Sequence, residues 1–251
     1  MIKQKGFLRL LGGSLGETTF LKSRDGYRAQ EKKVLPKGKF QTDPAFEQVR
    51  ETNARFSTAA KVGKLLRRSI NPLVTLARDP RSASRLLHVM MTVLKADTVS
   101  PPGKQNFLDG NVGFLKNFQF NAGSTTDQAF GPTVLGTINR VTGELSISIP
   151  SFNPIGTVHM PGTATHFEIV TAGVELDIEG ITFKADTKTA GILPYGATPL
   201  VVNDVHTLTA NSTHPLMLVF GVRFYQLISG AMRPHNGGKE NALKIVTIEK
   251  P

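Results

Sequence analysis

Leu145-Ser146-Ile147-Ser148-Ile149 and Val174-Glu175-Leu176-Asp177-Ile178-Glu179 alternate apolar and polar residues with a period of two. Each run therefore presents one apolar and one polar face, the pattern of a half-buried β-strand. Ile181-Thr182-Phe183 and the apolar runs near 199–209, 215–228 and 242–249 extend the series, and Arg140-Val141-Thr142-Gly143 reads as a turn between two of them. No helical period interrupts it. Short strands joined by turn residues in this way predict a mainly antiparallel β-sandwich or open barrel.

Upstream of these strands, the helical period ends at Thr98-Val99-Ser100-Pro101-Pro102-Gly103, the best linker in the chain. It predicts two modules, residues 1–104 and 105–251. In the first module, Asp43-Pro44, Asn71-Pro72 and Asp79-Pro80 each place a side-chain acceptor before a proline. The acceptor satisfies an orphan N–H and proline has none to waste, so helices are expected over about 44–68, 72–78 and 80–96. Val49, Phe56, Ala60 and Gly63 share one stripe of the first helix. Leu86, Leu87, Met90, Met91 and Leu94 form the apolar side of the third. Before the helices, strand-like runs flank Ser23-Arg24-Asp25-Gly26, a hairpin signal. The expected class is α+β: an N-terminal β-hairpin and basic helices, then the sandwich.

Charge divides along the same line. Residues 1–105 hold 21 Lys+Arg against 8 Asp+Glu, and residues 106–251 hold 9 against 11, so +13 and −2 make up the net +11. The excess gathers on helices: Arg50, Lys61, Lys64 and Arg68 fall in one sector of the first, with Arg67 beside them, and Arg81 and Arg85 line the third. Clustered cations of this kind are the footprint of a polyanion or of acids on a neighbouring copy. Expected partners are therefore copies of the chain itself, with DNA or RNA as the alternative.

Catalytic and metal chemistry finds little support. The chain has no cysteine, which removes disulfides, thiolate metal sites and a cysteine nucleophile. Its six histidines (His88, His159, His166, His206, His214 and His235) match no H-x-x-x-H, H-E-x-x-H or H-x-H spacing. Gly12-Gly13-Ser14-Leu15-Gly16 fits G-x-S-x-G, but a nucleophile elbow needs a strand before it and a helix after it, so a glycine-rich turn is the better reading. Glu175, Asp177 and Glu179 project from one face of a strand and read as a solvated face balanced by Lys184 and Lys188. His235-Asn236-Gly237-Gly238 reads as a hairpin loop, with a ligand site as its alternative. A non-enzymatic protein is expected, with no cofactor, metal or small-molecule substrate. Arg9, Gly12 and Gly13 break up the only signal-like apolar run, and no run reaches the ~20 residues of a membrane span. The expected location is cytoplasmic, including the interior of a released particle.

Gly6-Phe7-Leu8-Arg9-Leu10, Thr19-Phe20-Leu21-Lys22, Asp25-Gly26-Tyr27, Thr42-Asp43-Pro44-Ala45-Phe46 and Arg50-Glu51-Thr52 together resemble a family of uncharacterised Bacteroidota proteins. Lys64-Leu65-Leu66-Arg67, Ser84-Arg85-Leu86 and Ala242-Leu243-Lys244-Ile245-Val246 continue the resemblance to the end of the chain. More distantly, the glycine-rich hairpin and the Pro-capped helix carrying Arg55-Phe56 are similar to small proteins of phage-derived gene clusters. The resemblance assigns no catalytic residue. It implies a cytoplasmic bacterial protein of a mobile or virion-like element. Taken with the basic helical front and the acid-leaning strands, the expected function is a structural subunit of a filament, tube or shell, and the alternative is a nucleic-acid-binding protein of the nucleoid or a mobile element that uses the basic helices.

Overall fold

The computed structural model describes residues 2–3, 13–23, 26–32, 38–75, 77 and 79–251. It divides into two compact units, Met1–Arg50 and Glu51–Pro251.

In the first unit, β1 (Ile2–Lys3), β2 (Gly13–Leu15), β3 (Thr18–Ser23) and β4 (Gly26–Glu31) form an antiparallel sheet in the order β1-β4-β3-β2. The expected hairpin is present: Ser23 pairs with Gly26, and its turn residues 24 and 25 lie outside the described residues. Ser14 sits in β2 and Gly16, at φ +57°, turns the chain into β3, so the glycine run is a turn between strands, Gly12 itself lying outside the described residues. A short helix, α1 (Lys39–Thr42), follows. Asp43 then caps the next turn as expected: its side chain accepts from Ala45 N, and Pro44 opens a 3-10 turn that leads into α2 (Glu47–Ser69).

The other two Pro-marked starts differ from expectation. In α3 (Asn71–Val74), Asn71 is already inside the helix and offers no cap. Asp79 Oδ1 accepts from Arg81 N, as expected of the acceptor before Pro80, but residues 80–81 form a turn and α4 (Ser82–Lys95) begins two residues late. The buried stripe of α2 also differs. Ala59, Val62, Leu65 and Leu66 are buried, whereas Val49 and Phe56 are exposed. On α4 the expected Leu86, Met90 and Leu94 are buried, joined by Val93.

The strands follow as β5 (Leu135–Asn139), β6 (Glu144–Phe152), β7 (His166–Asp177), β8 (Thr182–Pro194), β9 (Leu200–Thr207), β10 (Leu216–Ile228), β11 (Ala231–Pro234) and β12 (Ala242–Glu249). One sheet runs β11-β10-β7-β8, with β12 beside β11 on the same edge of β10. The other runs β5-β6-β9. All pairings are antiparallel, and the C-terminal sheet curls, so the α+β class with a sandwich-like β portion holds.

The larger sheet has a core on each face. Val170, Val174, Met217, Val219 and Ile245 pack with Ala59, Leu65, Leu66, Leu86 and Met90 of the helices. Phe167, Leu218, Phe220 and Val222 pack with Leu145, Ile147 and Ile149 of the smaller sheet. The second unit is thus three layers: helices, large sheet, small sheet. Its helices share a core with its strands, so the division falls at Arg50/Glu51 and not at the expected 104/105. The Pro-Pro-Gly segment is a tied loop inside this unit: Asp97 accepts from the backbone N–H groups of Val99, Ser100 and Asn106. Those amides hold its carboxyl far below the ordinary aspartate pKa, since each favours the charged form.

Candidate polyanion or subunit interface

Between Glu51 and Asp97 the chain carries nine lysines and arginines and one carboxylate, Asp79. That carboxylate is already committed. Its Oδ2 accepts from Arg85 Nη2 at 2.6 Å and from Ala122 N at 3.2 Å. Desolvation opposes the charge, but the Arg81 and Ala122 amides and the Arg85 guanidinium outweigh it and keep the pKa below the ordinary value.

The cations singled out by the sequence separate into two groups. Arg85 is internal: it also donates to the carbonyls of Gln119 and Phe120 at 2.7 and 3.1 Å, and its guanidinium lies 5.3 Å from the Phe118 ring centroid. It clamps α4 to the 118–120 segment, while the exposed third of its side chain lines the depression that runs to Phe114. Arg50, in the first unit, donates to the carbonyls of Phe40 and Asp43. Lys61, Lys64 and Arg68 stand exposed along α2, Arg67 is half-buried, and Arg81 is exposed just before α4. None of these five makes an ion pair among the described residues.

Small side chains set the relief between them. Ala59, Ala60 and Gly63 of α2 face Ala83, Ser84 and Leu87 of α4 across a crevice of about 220 Å³, with Lys64 and Arg67 on its rim. Ser84 also lines a shallower depression of about 560 Å³ that runs to Phe114 and Lys116.

The acids of the strands were expected to form a solvated face. The structure corrects this. Glu175 is buried and accepts from the hydroxyls of Thr209 and Ser212, both at 2.6 Å, while Lys184 Nζ donates to Thr209 Oγ1. Burial raises the Glu175 pKa, but the two hydroxyls and the Lys184 charge outweigh it. Asp177 accepts from Gly180 N and Thr182 Oγ1, and only Glu179 of the three is exposed. Glu175 and Asp177 line a cleft of about 410 Å³ together with Lys184, Ser212 and His214. Each carboxylate in it accepts from two donors of the fold.

One arrangement had no signal in the sequence. His206 of β9 is wholly buried, with Nδ1 3.2 Å from Asp186 Oδ2 and Nε2 3.1 Å from Thr171 Oγ1. Hydroxyl, imidazole and carboxylate are the members of a nucleophile relay. Thr171 and His206 are both fully shielded from solvent, however, and the hydroxyl already donates to Asp204 at 2.6 Å. The trio is cross-bracing between β7, β8 and β9. His235, in the other loop weighed as a ligand site, lies 3.5 Å from Glu240 in a turn with Asn236, Gly237 and Gly238 at positive φ.

Among the described residues no three His, Asp or Glu side chains converge as metal ligands, and no helix is long and apolar enough to cross a membrane. Comparison of the chain with protein-family models, with curated proteins and with solved structures finds no match.

Proposed function

We propose that this protein is a non-enzymatic structural subunit that builds a repeating assembly of its own copies. The observation that carries this reading is in the N-terminal unit: among its described side chains, none is buried. Ordering a residue costs about 1–2 kcal/mol of backbone entropy, and a small sheet offsets that only by covering an apolar face. Leu15 and Leu21 of this sheet are left exposed. In this reading a second surface completes it.

The surface offered is another copy. Residues 1–50 carry 11 Lys+Arg against 5 Asp+Glu, whereas residues 106–251 have a net charge of −2. β8 ends its sheet without a second backbone-paired strand and exposes Phe183 and Ile192, although Asp186 and Lys188 tie it by side chains to β9; unpaired strand edges accept further strands. In this reading the cationic sheet of one subunit seats on the strand layer of the next, in the setting of a filament or shell of a phage-derived element.

The test is the mass of the purified chain by multi-angle light scattering over a range of concentrations, with and without nuclease. Multiples of 27.2 kDa that survive nuclease are expected, and Leu21→Glu should shift them toward the single chain. A 27.2 kDa species alone at every concentration removes the proposal.

A further inference from the structure

The α2–α4 face asks for a different partner from the N-terminal sheet. We infer that it is a binding track for single-stranded nucleic acid, with phosphates held at Lys64 and Arg67 and a base stacked on Phe114. Three features on one continuous surface lead there.

The first is uncompensated charge. Lys61, Lys64, Arg67, Arg68 and Arg81 have no carboxylate partner among the described residues, and Asp79, the one acid in that stretch of chain, is consumed by Arg85. Part of the acid of a second copy is already engaged: Glu168, Glu175 and Asp177 each accept from two or more donors, and Asp127 pairs with Lys244. Its exposed Asp109, Glu144, Glu179 and Glu249 are the competing counter-charge, which the polyglutamate arm of the test reads. A phosphate backbone brings a regular row of negative charge instead.

The second is the crevice. Alanine, glycine and serine side chains line a cleft of about 220 Å³, so a single chain of phosphates can approach the helix surfaces between the cations on the rim. It is too small a recess for a duplex to enter.

The third is Phe114. Val112 and Leu115 are buried and anchor the 3-10 turn Val112–Leu115, which holds the Phe114 ring out at 48% exposure. The ring lies in the depression that shares Ser84 with the crevice, beside Lys116 and Asn117. An exposed aromatic next to cations is the stacking element of proteins that bind single strands without sequence preference.

The experiment is fluorescence anisotropy of the full chain with a labelled oligothymidylate of about twenty nucleotides, titrated across salt concentrations. Affinity should fall linearly in log–log form, and Lys64→Ala with Arg67→Ala should flatten the slope by about 1.4, at about 0.7 per phosphate contact on a single strand. Phe114→Ala should weaken binding by about 5- to 100-fold at fixed salt and leave the slope unchanged, because stacking involves no counterions. Lys64 and Phe114 are exposed and Arg67 is half-buried, and unchanged circular dichroism confirms the fold of both variants. No binding at low salt overturns the inference. So does equal affinity for a duplex of the same length with no effect of Phe114→Ala, or displacement of the oligonucleotide by polyglutamate at matching charge, which assigns the face to an acidic protein. Assembly is read separately by light scattering after nuclease, so the two proposals fail independently.

Discussion

His206 Nδ1 stands 3.2 Å from Asp186 Oδ2 across two strands, β9 and β8, that share no backbone hydrogen bond. Lys188 Nζ reaches the Val205 carbonyl and Lys184 Nζ reaches Thr209 along the same line. The two sheets are fastened at this border by side chains alone.

Acid should loosen that border before it affects the rest of the molecule. Burial pushes the His206 pKa down, the largest influence on it, while Asp186 and Asp204 pull it up and Lys188 pushes it down. The folded state therefore disfavours the proton that the unfolded chain accepts near pH 6.5. Its contribution to stability is complete above that value and is lost as pH falls toward the lower folded pKa. Melting temperature should start to drop between pH 6.5 and 5, and His206→Asn should remove that part of the slope. Identical profiles for the two proteins in this window would refute the assignment.

Arg85→Lys is expected to destabilise nearly as much as Arg85→Ala, because an ammonium cannot span Asp79 and the carbonyls of Gln119 and Phe120 together. Losing these bonds and leaving Asp79 with two backbone N–H donors but no counter-charge should cost about 1–3 kcal/mol in urea unfolding. A lysine variant as stable as the parent contradicts the clamp.

Two glycines should respond with opposite sign. At Gly63 in α2 an added Cβ meets Met90 Cγ at 3.7 Å, an ordinary contact, so Gly63→Ala should stabilise by about 0.5–1 kcal/mol through helix propensity. At Gly173 in β7 the Cβ falls 2.6 Å from His206 Cβ, and Gly173→Ala should cost about 1–3 kcal/mol as the border is forced apart. Thermal melts of both variants settle the pair.

Asp97→Asn should open the loop that follows α4. The amide keeps an acceptor but loses the charge that three backbone N–H groups favour. Limited proteolysis should then cut within 98–105 faster than in the parent, at unchanged sites elsewhere. No change in cleavage rate counts against Asp97 as the tie.

What the sequence discloses here is mostly what neighbours along the chain decide. The Leu145–Ile149 alternation predicts buried and half-exposed positions of β6 in the right order, because a strand's pleat alone assigns them. Asp43 caps as read, since its partner Ala45 is two residues away. Asp79 makes the same local bond, to Arg81 N, but the partners of its second oxygen were not legible, since Ala122 is 43 residues distant. Glu175 shows the same limit. Its alternation with Val174 and Leu176 is correct, but the hydroxyls that bury it come from Thr209 and Ser212. The cation cluster on α2 was legible from its 100° spacing. The crevice beside it was not, since half of its lining belongs to α4.

β10 gives its even-numbered residues, Leu216, Leu218 and Phe220, to one hydrophobic interior, and Met217 and Val219 to the other. Neither interior can dissolve while this strand keeps its place, and neither can survive its departure. Residues 51–251 should for that reason absorb heat in a single calorimetric peak, and conformational signalling from the helical side to the far sheet is carried by the parity of β10 and of its neighbours β7 and β12, which divide their residues in the same way.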